Sequence, residues 1–317
     1  MKVDALWITD PKKIEIQSIE VPDPPYGQIQ VEVKACGICM GDQALYKSAD
    51  ASHTHPFRFG HEPSGVVLKV GSGVKGFKPG DNVACIGEIS MAQVINLPAE
   101  NSVVISETVD DYATWIIEPI VCVITSVACV PLAPADDIVL IGAGYMGLLK
   151  IQALSKTLRG RLTVFDLDDR MLELARKFGA DETYNANSDE GQNAIKKIVE
   201  NGGVPLVIEC SGAIAGFETA NRCIQQSGTL ELFGWQRGIC SFDGTPWHMG
   251  GIKVFNTAPF IDRNYISRIG QAKKLIEQGV FDQKELITHR INYKQANEAF
   301  EIATQRIDGY IKGVITF

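Results

Sequence analysis

The chain has 317 residues, 45% hydrophobic and 21% charged, with 30 glycines and a net charge of −8. That length exceeds one ordinary core and implies two domains or one interleaved pair. The acidic balance argues against nucleic acid or an anionic membrane surface as a partner, since both need a basic face.

The first residues, MKVDALWITDPKKIEIQ, alternate charged and apolar positions and lack the unbroken apolar core of a signal peptide. No stretch approaches the ~18 charge-free apolar residues of a membrane span. Eight cysteines without a secretion signal read as reduced thiols, some available to a metal. The expected location is the cytoplasm. DALWITD and KIEIQSIEV read as strands, and QIQVEVKA follows the break Pro24-Pro25-Tyr26-Gly27. Its alternation of Ile29, Val31 and Val33 is that of a half-buried strand. Residues 63–86 continue in the same manner with glycine-marked turns, and such short, close strands predict a small antiparallel barrel.

Within that region ACGICMGD, residues 35–42, sets Cys36 three positions before Cys39, with Asp42 close behind. The pair admits three readings: a metal knuckle, a redox switch, or one ligand beside a bystander. His61 and Glu62 lie in Phe59-Gly60-His61-Glu62-Pro63 at the entry to a strand. A lone histidine is more often a hydrogen-bonded core or surface residue than a ligand. Glu118 is flanked by apolar residues and reads equally as a helix N-terminal carboxylate or as a buried carboxylate needing a partner. Taken together, Cys39, His61, Glu62 and Glu118 offer thiolate, imidazole and carboxylate, the donor set of an open, catalytic zinc.

From Glu118 onward the pattern changes. Pro119 suits the first turn of a helix through IVCVITSVACV, which ends before Pro131. IVLIGAGYMG is a buried strand entering a glycine turn, LLKIQALSKTL a helix, RLTVFDLD a strand and DRMLELARKFGA a helix. LVIECSG and GTLELFG are further strands, so the segment predicts a parallel, doubly wound sheet. In Gly142-Ala143-Gly144-Tyr145-Met146-Gly147 the three glycines suit a tight turn, close approach of a pyrophosphate, and helix-on-strand packing. The helix N-terminus that follows faces the anion. Asp166 ends the next strand, 19 residues after Gly147. A carboxylate there accepts from ribose hydroxyls and repels a 2′-phosphate, which favours NAD over NADP. Cys210-Ser211-Gly212 and Phe233-Gly234 either line the nicotinamide and ribose or are ordinary strand-end turns. His248 and His289 are read as a surface loop residue and a packing residue, respectively. The tail reads as two helices, IGQAKKLIEQG and QANEAFEIATQRIDG, and a final strand KGVITF.

The order GICxxD, GHExSG, a Glu-Pro before a helix, GxGxxG and an acid after the next strand resembles the zinc-dependent medium-chain dehydrogenases. The sorbitol and threonine dehydrogenase branch is the most similar part of that family. The resemblance implies an α/β fold: a GroES-like barrel at residues 1–128 and 262–317, with a Rossmann domain at 129–261 inserted. It implies Cys39 and His61 as metal ligands, with Cys36 a buried bystander. Glu62 and Glu118 are then the carboxylates that bind or exchange at the metal, and Asp42 orients His61 by accepting its free ring N–H. It further implies one Zn²⁺ per chain, NAD, a small alcohol or ketone as substrate, and a homodimer or homotetramer.

The chain departs from the family pattern in three places. The four-cysteine lobe that holds a structural zinc is missing, since GDNVACIGEISMAQVINLPAE runs on with Cys85 alone. The proton-relay hydroxyl two positions after the ligand cysteine is Gly41, and the relay histidine is Ala44. With Cys39, Glu62 and Glu118 anionic and His61 neutral, Zn²⁺ leaves the site one negative charge. One carboxylate is therefore expected to leave when substrate arrives, Glu62 being the looser and able to take the alcohol proton. The expected substrate is a polyol, cyclitol or sugar oxidised at a secondary hydroxyl. A biosynthetic ketone reductase and a non-catalytic nucleotide-binding relative are the alternatives.

Overall fold

The computed structural model describes residues 1–47, 56–236, 239, 241–257, 261–307 and 309–317. The chain forms two compact units, Met1–Val121 with Ile266–Phe317, and Cys122–Tyr265.

In the first unit β1 (Lys2–Asp10), β2 (Lys13–Glu20) and β3 (Gln28–Gly37) lead into helix α1 (Met40–Lys47). They are followed by β4 (Phe57–Arg58), β5 (Pro63–Val70), β6 (Asn82–Cys85), β7 (Val94–Pro98) and β8 (Ser102–Val104). Helix α2 (Glu118–Cys129) carries the division between units. The unit is completed by α8 (Ile269–Glu277), β15 (Ile287–Asn292), α9 (Ala296–Gln305) and β16 (Lys312–Thr316).

β2, β1 and β4 make a three-stranded sheet, and β15-β16-β3-β5-β6-β8 a second sheet in which β7 also pairs with β3. The alternation in QIQVEVKA does what it predicts, with Ile29, Val31 and Val33 fully buried. They join Leu6, Ile8, Phe59 and Phe300 in one core, each such side chain contributing about 1.5–3 kcal/mol of burial. One pairing departs from an all-antiparallel barrel. β15 and β16 run parallel, because the chain crosses over through α9 between them. The sequence reading also passed over α1, which starts directly after Cys39.

The second unit holds β9 (Ile138–Ile141), α3 (Tyr145–Leu154), β10 (Leu162–Asp166), α4 (Asp169–Lys177), β11 (Glu182–Asn185) and α5 (Asp189–Glu200). It continues with β12 (Val204–Glu209), α6 (Ile214–Cys223), β13 (Ile224–Leu232), α7 (Thr245–Gly250) and β14 (Lys253–Asn256). The sheet order β11-β10-β9-β12-β13-β14 is all parallel, and the winding direction reverses between β9 and β12. This is the Rossmann order, whose ligands bind at the carboxyl ends of the strands beside that switch point. All four residues of β9 are buried, as a strand covered on both faces requires. Local capping sets the helix starts: Asp168 accepts from Arg170 N–H before α4, and Ser188 from Gly191 N–H before α5.

Tyr112–Cys129 comes closer to a membrane-length apolar stretch than the sequence reading allowed. It carries Glu118, and 61% of it is buried, as in the core helix of a globular fold.

Candidate functional site

Three segments remote in sequence meet where β3 ends. On one side Val314 of β16 pairs with Gly37 and Ile315 with Cys36, and on the other Cys36 pairs with Pro63 of β5. Gly37 N–H donates to the Glu62 carbonyl at 3.1 Å and Ile38 N–H to the Gly313 carbonyl at 2.9 Å. This register gathers Cys39, the His61-Glu62 pair and Lys312. The ligating atoms of Cys39, His61 and Glu62 all lie within 4.8 Å of one another.

Cys39 stands at the start of α1, where the Gly41 N–H donates to its Sγ at 3.3 Å. Cys39 alone stands at the helix start, Cys36 lying on β3, and burial separates the two thiols further. Cys36 is fully buried on β3 and burial pushes its thiol well up, whereas Cys39 is partly exposed.

Asp42 is buried, and its Oδ2 accepts from the Cys39 N–H at 2.9 Å. Its Oδ1 is 3.9 Å from His61 Nδ1, too far for a hydrogen bond. The expected hydrogen bond to His61 is thus not made, because the carboxylate is committed to the backbone of the turn. Asp42 acts on His61 by charge. Burial opposes protonation of His61, but a hydrogen bond with Cys39 and the charges of Asp42, Cys39 and Glu118 outweigh it and raise its pKa to about 11. So much negative charge converging on one imidazole marks a place for a cation. Glu118 opens α2 and is largely buried; it lies outside the three-residue group, but its charge reaches His61.

Glu62 is held in a way nothing in its own segment announces. Its Oε1 accepts from Lys312 Nζ at 2.8 Å. Its Oε2 lies 2.6 Å from the same ammonium but off the hydrogen-bond direction, and is a buried acceptor without a hydrogen bond. Gly37 makes the room: a Cβ there would overlap Glu62 Oε2 outright and lie 3.0 Å from Cδ. A thiol, an imidazole, a buried carboxylate oxygen with no hydrogen bond and a second carboxylate nearby fit a zinc ion, for which Cys39, His61, Glu118 and Glu62 are the candidate donors.

In the second unit the glycine turn follows β9 at the switch point. Gly142 has φ +95°, and a Cβ there would sit 2.6 Å from Ser211 N, so the turn packs on the end of β12. Among the described residues nothing lies within 4 Å of a Cβ added at Gly144, and as N-cap of α3 it leaves the helix N-terminus without a side-chain cap. That is an open anion site. Tyr145 and Met146 begin α3, Tyr145 buried and Met146 partly so. Asp166 Oδ2 accepts from Ala143 N–H at 2.6 Å, and Oδ1 from Leu167 and Asp168 N–H at 2.7 and 2.9 Å. The carboxylate thus ties β10 to the glycine turn and these three bonds leave one of its roughly four acceptor positions.

Cys210, Ser211 and Gly212 follow β12 and adjoin Phe233-Gly234: a Cβ at Gly234 would lie 2.5 Å from Gly212 N. The fully buried Glu209, not foreseen from sequence, clamps this turn. It accepts from Ser211 N–H at 2.7 Å, from the Ser211 hydroxyl, and from Gln236 Nε2 at 2.5 Å. His248 is exposed on the short α7, and His289 on β15 bonds Thr288 Oγ1 at 2.9 Å. Lys312 was also missed. A lysine opening an otherwise apolar strand, KGVITF, was the available sign.

Residues 25–104 match the alcohol dehydrogenase GroES-like domain and residues 131–265 the zinc-binding dehydrogenase domain. The chain is 25% identical to the sorbitol dehydrogenase of Bacillus subtilis (strain 168), over 93% of this chain and 91% of that protein. An Escherichia coli oxidoreductase/dehydrogenase of unknown specificity superposes with a TM-score of 0.89 at 22% identity, covering 100% of this chain and 99% of the other. A short chain alcohol dehydrogenase from E. coli CFT073, complexed with NADH, superposes at 0.86 with 23% identity over 100% and 99%. The two structural likenesses carry the GroES-like and Rossmann architecture, and the two domain matches carry the rest. The chain is a member of the zinc-type medium-chain dehydrogenase/reductase family and an enzyme of the alcohol dehydrogenase type.

Proposed function

We propose that the protein is a zinc-containing, NAD-dependent dehydrogenase that oxidises a secondary hydroxyl of a polyol, cyclitol or sugar-type substrate, acting as a homo-oligomer in the cytoplasm. The observation that carries this reading is the convergence of Cys39, His61 and Glu62 within 4.8 Å, with the charge of Glu118 reaching the same imidazole. Zinc held there would supply Lewis acidity toward an alcohol oxygen, and NAD would supply the hydride acceptor. The chain's own residues do the rest. Cys39 is turned into the site by α1, and Asp42 fixes the turn that presents it. Ala143 and Gly144 offer backbone N–H groups and open space to a pyrophosphate, and Asp166 is the partner for a ribose hydroxyl.

The substrate class is supported by the likeness to sorbitol dehydrogenase and by what surrounds Gly41. Among the described residues, a Cβ added at Gly41 would meet only Cys39 Sγ, at 3.8 Å. Space is thus open beside the thiolate where a relay hydroxyl would otherwise stand, and it suits a substrate carrying hydroxyls of its own. The test is NADH formation across polyols, cyclitols and sugar acids, with ethanol as the comparison. Turnover of diols well above ethanol is expected, and equal rates on ethanol and a vicinal diol would refute the substrate class.

A further inference from the structure

We infer that Lys312 is a positioning residue that holds Glu62 off the metal, leaving Cys39, His61 and Glu118 as ligands and one position open to substrate. The inference rests on the proposed zinc site.

The ammonium lies 2.8 Å from one carboxylate oxygen and 2.6 Å from the other, with side-chain exposures of 5% for Lys312 and 2% for Glu62. Two charges so deep do not part readily, because removing either leaves its partner unpaired out of water. The grip is also directional. Lys312 opens β16, whose neighbours Gly313 and Val314 are fastened to Ile38 and Gly37, so the lysine is fixed to the strand end from which the Cys39 turn departs. The wall at Gly37 leaves the carboxylate no space on that side. The two contacts pin Glu62 between a cation and a backbone.

Charge gives the second argument. Cys39, Glu62, Glu118 and the buried Asp42 as anions with Zn²⁺ leave two negative charges, and Lys312 reduces them to one. A less negative site polarises a bound alcohol more than a more negative one does. At the same time a Glu62 oxygen lies within 4.8 Å of both Cys39 Sγ and a His61 nitrogen. It is near enough to become a ligand once the lysine is gone. Lys312 thus decides whether Glu62 is a neighbour of the metal or part of its coordination shell.

The experiment replaces zinc by Co²⁺ in wild type, Lys312→Met, Lys312→Arg, Glu62→Gln and Lys312→Met/Glu62→Gln, and records the visible d–d spectrum, metal release to a chelator, and kcat and KM. Glu62→Gln should keep the wild-type spectrum, since Glu62 is not a ligand there. In Lys312→Met the bands should weaken as a further ligand joins, metal release should slow, and kcat should fall roughly 10–100-fold. Lys312→Arg should restore the wild-type spectrum, and so should the double variant, in which no carboxylate is free to bind. An altered spectrum in Glu62→Gln overturns the inference even if Lys312→Met does not fold. A Lys312→Met protein with wild-type spectrum and release rate overturns it as well. A wild-type protein that takes up neither zinc nor Co²⁺ refutes the metal site itself.

Discussion

The contact between Gly37 and Glu62 can be tested by adding one methyl group. In Gly37→Ala the new Cβ would overlap Glu62 Oε2, lie 3.0 Å from Glu62 Cδ and lie 3.1 Å from Ile116 Cδ1. Comfortable carbon contacts begin near 3.5 Å, so the carboxylate must retreat by about half an ångström or more. Retreat strains a pair whose oxygens lie 2.8 and 2.6 Å from a buried ammonium. Overpacking alone costs about 1–3 kcal/mol, and loss of the pair about 3–5 kcal/mol. A loss of about 3 kcal/mol is therefore expected. For a unit of this size it lowers Tm by roughly 6–12 °C. Gly37 has no left-handed φ that alanine would strain, so the cost reports the contact. The control is Gly41→Ala, where among the described residues only Cys39 Sγ lies within reach, at 3.8 Å, and where alanine is the better helix former. Thermal unfolding of both variants after chelation separates the effect from metal loss. A Gly37→Ala protein that melts with wild type would refute the clamped geometry.

The remaining predictions concern the second unit and pH. Asp166→Ala should narrow the preference for NAD over NADP and loosen the glycine turn, because Ala143 N–H loses its acceptor; a wild type that prefers NADP, or an unchanged ratio of kcat/KM values, contradicts this. Lys150 and Glu231 form a 2.9 Å ion pair with side-chain exposures of 1% and 0%. Lys150→Met should cost about 3–5 kcal/mol in urea unfolding, and Lys150→Met/Glu231→Leu should recover most of it; equal costs would show that the stranded charge is not the cause. Burial pushes the Cys85 thiol from 9.0 up to about 12. Its raised folded pKa contributes stability that is fully present below pH 9 and is lost as pH rises toward 12. The stability gap between wild type and Cys85→Ala should be constant up to pH 9 and narrow above it, and a gap that stays constant to pH 11 would contradict the sign.

What the sequence determined by itself lies within a turn or a strand of its cause. The glycine turn, Asp166 at the end of the next strand, the caps at Asp168 and Ser188, and the alternation that buries Ile29, Val31 and Val33 are all local relations between backbone geometry and side-chain type. The donor chemistry of Cys39, His61 and Glu62 was also readable, because thiolate, imidazole and carboxylate are ligands wherever the chain carries them. Who stands next to whom was not. Lys312 meets Glu62 across 250 positions only because β16 pairs with β3 in one register, and a slip of one residue would turn it to the other face. The same holds for the ion pair of Lys150 with Glu231 and for the hydrogen bond that Gln236 donates to Glu209, partners that only the finished fold brings together. Asp42 shows the limit from the other side. Its sequence position beside Cys39 was plain, but whether its oxygen reaches His61 or the backbone is a matter of 3.9 Å against 2.9 Å. A hydrogen bond tolerates an error of a few tenths of an ångström, and that degree of placement is set by packed tertiary structure, not by residue type.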